Sequence, residues 1–196
     1  MIRYLFLVSL LFLNACIQLG SEPQPLRHYL LQPMTETRNY LPEQKLNLTL
    51  GPMEFPSYLD RPQLVTINQQ KQVIIANFDR WAEPLQENLT RILKENLTRQ
   101  FSNIEIATFP WKSPVAEHIQ LKLTINHFDG ILGKNSHVDI RWELIRSATT
   151  EIITQGHFVS QKPLDNSYLD LVSKLNSAIT EFSLLLGETI AGKVDH

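Results

Sequence analysis

Ser136-His137-Val138-Asp139-Ile140-Arg141-Trp142-Glu143-Leu144-Ile145 alternates almost to its end: Val138, Ile140, Trp142 and Leu144 are apolar, whereas His137, Asp139, Arg141 and Glu143 are not. A period of two over this length is the pattern of a strand with one face on a core and the other in water. The segment before it, Glu117 to Phe128, repeats the pattern with Ile119, Leu121, Leu123 and Ile125 inward, and Glu151 to Ser160 is a third strand of similar length. Asp129-Gly130 through Lys134-Asn135 and Ser147 to Thr150 supply the turns, so the three segments read as a meander.

A sheet with one apolar face has to be covered, and the segments flanking the meander have the pattern to do so. Leu85, Leu89, Ile92, Leu93, Leu97 and Phe101 recur at spacings of three and four, which predicts a helix from about Leu85 to Phe101. Pro84 suits its start, because a proline's fixed φ fits the first turn and the first N–H groups of a helix have no partner. Beyond the meander, Tyr168, Leu171, Val172, Leu175, Ile179, Phe182 and Leu186 form a second stripe to about Thr189, entered through Pro163, Asp165 and a capping-box-like pair of Ser167 and Asp170. Both stripes are expected on one side of the same sheet. Within the first helix Glu87-Asn88-Leu89-Thr90-Arg91 returns as Glu95-Asn96-Leu97-Thr98-Arg99. An offset of eight is neither a heptad nor a solenoid period, and the echo reads as coincidence.

Toward the N-terminus, Ile104 to Ala107 is a brief strand, and Gln63 to Ile67 and Gln72 to Ala76 form a hairpin around the polar turn Asn68-Gln69-Gln70-Lys71. Lys45 to Leu50 alternates with Leu46, Leu48 and Leu50 inward, and His28-Tyr29-Leu30-Leu31 is a short strand stopped by Pro33. Gly51 to Pro62 carries Pro52, Pro56 and Pro62 around Phe55, Tyr58 and Leu59, which predicts an irregular, partly buried segment. The order β-β-β-β-α-β-β-β-β-α gives an α+β fold, an antiparallel or mixed β-sheet with two amphipathic helices packed on it, in a single domain.

The N-terminus has a different character. Met1-Ile2-Arg3 precedes an almost unbroken apolar run from Tyr4 to Leu13, a basic region followed by a secretory apolar core. About ten apolar residues reach roughly 15 Å as a helix, half the hydrocarbon thickness, so the run reads as a removable leader and not as a transmembrane anchor. Leu13-Asn14-Ala15-Cys16 ends it, and Leu-x-Ala-Cys resembles the lipobox of bacterial lipoproteins, in which the cysteine sulfur takes a diacylglycerol before cleavage. Cys16, the only cysteine, is thus the expected lipidation site and mature N-terminus. In that pattern Ile17, where an aspartate would retain the protein, implies the outer membrane. The expected organisation is a lipoprotein signal peptide (1–15), a lipidated N-terminus and flexible tether (16–27), and a single periplasmic α+β domain (28–196).

Composition removes several functions. With 18 Lys plus Arg against 20 Asp plus Glu and a net charge of -2, a nucleic-acid partner has no electrostatic support. There is no glycine-rich phosphate loop, no Gly-x-Ser-x-Gly and no His-x-x-x-His or His-Glu-x-x-His, so no catalytic residues, metal site or cofactor are expected apart from the covalent lipid on Cys16. By alternation His137 and Asp139 share a face, and His127 and His157 could join them across the meander. Solvated strand positions are the stronger reading there and a divalent ion the weaker one. Asn-x-Thr triplets begin at Asn47, Asn88 and Asn96 and mean nothing in a bacterial lipoprotein.

Two short segments are denser in informative residues. In Asp79-Arg80-Trp81-Ala82-Glu83-Pro84, Trp81 reads as a staple at the helix entry, while Asp79, Arg80 and Glu83 either pair with one another or meet a partner. Tyr58-Leu59-Asp60-Arg61-Pro62 is either a structural corner or an exposed docking edge. Tyr58, Asp60, Arg61, Asp79, Arg80 and Trp81 are therefore the candidate partner-docking residues.

Gly51-Pro52 through Pro56-Ser57-Tyr58-Leu59-Asp60-Arg61-Pro62-Gln63-Leu64-Val65, then Phe78-Asp79-Arg80-Trp81-Ala82-Glu83-Pro84-Leu85, together with the lipobox, resemble the PqiC/YmbA family of lipoproteins, auxiliary components of ABC-type transport systems. The resemblance covers nearly the whole chain and departs from it at Asn14 of the lipobox. It implies a non-enzymatic outer-membrane lipoprotein, facing the periplasm, that docks an MCE-domain transport protein of the PqiB type in a system moving lipids between the two membranes and supporting envelope integrity. It also leaves room for a homo-oligomeric ring. An independent periplasmic lipid-binding carrier is the alternative.

Overall fold

The computed structural model describes residues 24–42, 44–111 and 118–194, so the leader, Cys16 and most of the tether lie outside the described residues. In chain order the elements are β1 (Arg27–Tyr29), β2 (Leu46–Glu54), β3 (Gln63–Ile67), β4 (Val73–Trp81), α1 (Leu85–Thr98), β5 (Ile104–Thr108), β6 (Ile119–Ile131), β7 (Asn135–Arg146), β8 (Glu151–Ser160) and α2 (Tyr168–Val194). A 3-10 turn, Ser57–Leu59, stands between β2 and β3.

The meander forms as its alternation requires. Strands β6, β7 and β8 pair antiparallel, and β2 and β5 join them as parallel neighbours in the order β5-β2-β6-β7-β8, a mixed sheet. Leu121, Leu123, Ile125, Val138, Ile140 and Leu144 are almost fully buried on the inner face. Helix α2 packs across β6, β7 and β8, and α1 packs on β5, β2 and α2, so both helices cover one face. Leu89, Ile92, Leu93, Leu97, Leu171, Ile179, Phe182 and Leu186 have no solvent exposure. Complete burial of one such side chain contributes about 1.5–3 kcal/mol, which is how the amphipathic pattern becomes a fold. Trp142 lies against Gly156 on β8, where a Cβ would stand 2.5 Å from its ring, so glycine is required at that position.

The α+β class holds, with several differences from the expectation. The strands divide into two sheets, because β1, β4 and β3 form a separate three-stranded sheet with β1 parallel to β4. Strand β4 runs on to Trp81 instead of stopping at Ala76, since β1 and Pro62 give its second half hydrogen-bond partners. Strand β2 continues through Gly51-Pro52, expected to be irregular, by means of a bulge between Leu50 and Met53. A bulge is where a sheet tolerates a proline, and Gly51 supplies the positive φ of 110°. The β6–β7 turn falls at residues 132–134 around Gly133, so Asp129 and Gly130 belong to a strand. The expected start of that strand, Glu117, lies outside the described residues. Helix α1 stops at Thr98, and Phe101 leaves it to bridge Tyr40.

The echoed pentapeptide turns out to have a use. After Tyr29 the chain leaves β4 and runs as a strap across the helices, where no strand can accept its amides. The Leu31 N–H donates to Asn88 Oδ1 at 2.8 Å, Gln32 N–H to Asn176 Oδ1 at 2.7 Å, and Met34 N–H to Asn96 Oδ1 at 2.8 Å. Asn96 also donates to Ser183 Oγ on α2 at 2.9 Å, and Arg99 reaches the Met34 carbonyl. Eight residues of helix rise about 12 Å and three extended residues span about 10 Å, so the offset of eight matches the strap it holds. Replacing Asn96, which has no exposure, by alanine leaves the Met34 amide without its acceptor. Asn96→Ala is expected to cost about 1–3 kcal/mol in urea denaturation and to speed amide exchange at Met34.

Candidate functional site

Asp79 has 2% exposure on β4, yet its carboxylate is fully engaged. Arg27 Nε donates to Oδ1 and its second nitrogen to Oδ2, both at 2.7 Å, and the Tyr29 hydroxyl donates to Oδ1 at 2.8 Å. The Arg27 bond, against the upward push of burial and with help from Tyr29, holds the Asp79 carboxyl below its ordinary value. This bidentate pair fastens β1 to β4. Sequence reasoning missed Arg27 as its partner, having placed it at the end of the tether. Trp81, read as a helix staple, instead ends β4 and packs on Phe128 of β6, with ring centroids 6.3 Å apart, which joins the two sheets. Arg80 is half-buried, and its Nε has no hydrogen-bond partner among the described residues.

Tyr58 sits in the 3-10 turn, and its hydroxyl donates to Asp129 Oδ2 at 2.6 Å. Burial, and then this bond, pushes the phenol far above its ordinary range, so it is always a donor. Arg61 Nε donates to the Tyr58 carbonyl at 2.8 Å, closing the corner. Asp60 at the same corner is exposed.

Around Asp129 the outer face of the meander gathers the histidines. His127 stands opposite Asp139 in the ladder, and Asp129 opposite His137. The His127 and His137 rings stack at 4.1 Å with 21° between planes, and His127 Nδ1 lies 3.2 Å from Asp129 Oδ2. Asp139 Oδ1 accepts from Asn126 at 2.7 Å and meets His157 Nε2 at 3.0 Å. Burial pushes the Asp139 carboxyl up, but the bonds from Asn126 and His157 outweigh it and hold the carboxyl low. The four residues grouped by alternation thus do come together. Ligand atoms of His127, Asp129 and His137 lie within 4.8 Å of one another. Asp129 Oδ2 is already engaged by Tyr58 and His127, so an ion held there would compete with both.

The corner also forms one wall of an open groove of about 840 Å³. Phe55, Leu59, Leu85 and Phe109 line it, with Asp60, Glu87, Arg91 and Lys94 among its charged residues. Helix α1 is the second wall and the end of β5 the third. Its polar face was legible in sequence, but the groove was not, because its walls come from three distant segments. Gly51 sets one corner, since a Cβ there would stand 2.9 Å from the Phe109 Cβ.

A family model described as "ABC-type transport auxiliary lipoprotein component" matches residues 29–185, from β1 into α2. The chain belongs to this family of PqiC/YmbA-like lipoproteins. Two solved structures share the fold. The crystal structure of an uncharacterised protein is 21% identical with a TM-score of 0.71, covering 85% of this chain and 99% of its own. A Xanthomonas campestris protein of the DUF330 family is 14% identical with a TM-score of 0.61, covering 80% of this chain and 98% of its own. No curated protein matches the chain. Among the described residues no helix of this lipoprotein is long and apolar enough to cross a membrane.

Two measurements follow from the charged contacts. Asp79→Asn is expected to release β1, seen as faster amide exchange over residues 27–34; in the native chain the same release appears only as acid protonates Asp79, below the ordinary carboxylate value. Burial, and then His127, lowers the His137 pKa from 6.5, so the unfolded chain takes up that proton first. His137 therefore contributes stability above pH 6.5 that is lost as pH falls toward its folded value, and His137→Gln should flatten the melting-temperature profile across that window.

Proposed function

We propose that this lipoprotein is acylated on Cys16, sits on the outer membrane facing the periplasm, and is the non-enzymatic docking subunit of an ABC/MCE-type intermembrane lipid transport system that supports envelope integrity. The family match across the domain carries this reading. The lipobox before Cys16 supports the anchor. The groove supports docking, because it offers a partner an apolar floor with charges of both signs around it, the composition of a non-obligate interface. The partner is an MCE-domain protein of the PqiB type, and several copies of this chain in a ring would present several grooves to it. Asp60 meets the partner directly, Arg61 and Tyr58 hold the corner in place, and Asp79, Arg80 and Trp81 fix the sheet behind it. The groove also lies within the volume range of small-molecule sites, which favours a lipid-carrier role as the second reading.

Crosslinking in intact cells followed by purification through a C-terminal tag is expected to recover an MCE-domain protein. Charge reversal at exposed Asp60 or Lys94 should lower that recovery several-fold while leaving the circular dichroism unchanged. Recovery of the chain with lipid alone would favour the carrier. Cys16→Ser should remove the protein from the outer-membrane fraction and leave an unacylated precursor that still carries residues 1–15, read by mass spectrometry.

A further inference from the structure

Val73, Ile74 and Ile75, three consecutive apolar residues at the start of β4, are 45%, 41% and 44% exposed, far more than an apolar run in a folded sheet normally is. They belong to the β3–β4 hairpin, and residues 63–78 contain a single charge, Lys71 at the turn. Strand β3 lies against β6, with Val65 and Thr66 buried, so the first half of β4 forms an outer rim of the molecule. Strand β1 pairs with β4 only at Asp79, Arg80 and Trp81, leaving the edge beside Val73–Ile75 uncovered by any described strand.

The direction of β1 says what lies next to this rim. Because β1 is parallel to β4, with Arg27 at Asp79 and Tyr29 at Trp81, the chain N-terminal to Arg27 departs toward the hairpin end of β4. Leu26, at that exit, is itself 48% exposed. Cys16 is 11 residues before Arg27 and therefore at most about 40 Å away, while Lys71 is eight residues along β4 from Asp79, about 26 Å. A bilayer holding Cys16 is thus within reach of the hairpin turn on the same side of the molecule.

We infer that the β3–β4 hairpin is a second membrane contact: Val73, Ile74 and Ile75 enter the headgroup region of the bilayer that holds the lipid anchor, with Lys71 against anionic phosphates. The inference rests on the anchor at Cys16 proposed above. The depth is interfacial, as for a monotopic segment, so the unpaired backbone of β4 keeps water and phosphate as partners, which it would lose in hydrocarbon. One lipid-modified residue on a tether leaves a domain free to turn, and a second contact fixes which face looks away from the membrane. Near-absence of charge at the hairpin selects a lipid surface over a charged protein partner.

The test uses the full acylated chain, in which Cys16 is blocked and an introduced cysteine is the sole free thiol. Ile74→Cys, and Thr149→Cys in the exposed β7–β8 turn as a control, are labelled with an environment-sensitive fluorophore. They are then reconstituted on vesicles of three parts phosphatidylethanolamine to one part phosphatidylglycerol. The expected result is flotation of both proteins, with a blue shift, a several-fold intensity gain and quenching by spin-labelled lipid at Ile74 only. Flotation with the Ile74 probe still in water would overturn the hairpin contact and leave the anchor standing. Failure to float, with an unmodified Cys16 by mass spectrometry, would overturn the anchor and the contact that rests on it. A shift in detergent without vesicles that grows with protein concentration would assign the rim to a second copy and overturn the lipid assignment.

Discussion

Three asparagine side chains accept the backbone amides of Leu31, Gln32 and Met34, and the arrangement of the domain around its N-terminal segment depends on them. A strap crossing two helices has no ladder to join, and a buried amide without an acceptor is costly, so the helices themselves must supply the acceptors. Asn88 and Asn96 pay for their place in an otherwise apolar stripe by removing that cost at Leu31 and Met34, and Asn176 on α2 adds an exposed bond to Gln32 between them. Because Asn96 also bonds Ser183, the strap and the two helices are held as one unit. The N-terminal segment of the domain is thereby tied to the centre of the fold, and not merely to its edge.

This has a mechanical consequence for α1. One side of the helix holds the strap through Asn88 and Asn96, while Gln86, Glu87, Thr90, Arg91 and Lys94 face the groove. Between them lie the fully buried Leu89, Ile92, Leu93 and Leu97. A pull on the tether therefore reaches the proposed docking groove through one rigid element. That route suits the docking role proposed above, since a compliant loop in the same place would absorb the load.

The sheet and its helical cover were legible because their signal is local: alternation in β6 and β7 and spacing of three and four in α1 and α2 are set by the geometry of each element alone. What was not legible depends on pairing between distant segments. Trp81 was read as a helix staple, Asp79 as pairing locally or meeting a partner, and Tyr58 as a corner or a docking edge, and only the pairing with Phe128, Arg27 and Asp129 says what each one holds. The run of β2 through Pro52 depends on a bulge against β6, and the division into two sheets depends on where β1 returns. The asparagine echo was visible but its meaning was not, since the strap that it serves carries no pattern of its own. Grouping His127, His137, Asp139 and His157 succeeded because ladder pairing in a meander follows almost automatically from its turns.

The candidate docking corner is fixed at two points by carboxylates that the fold buries. Asp129 receives the Tyr58 hydroxyl and so holds the 3-10 turn on β6, while Asp79 receives Arg27 and Tyr29 and so holds β1 on β4. Apolar contacts at either point would give comparable stability, since the bonds each buried carboxylate receives are offset by the desolvation of that carboxylate. They would not give the same uniqueness, because an apolar surface can slide by a residue and a bidentate guanidinium cannot. A one-residue slip of β1 along β4 would turn Tyr29 away from Asp79 and carry the strap off its asparagines. The carboxylates buried at this corner therefore act on register, and register is what aligns β1, the strap and the groove in a single arrangement.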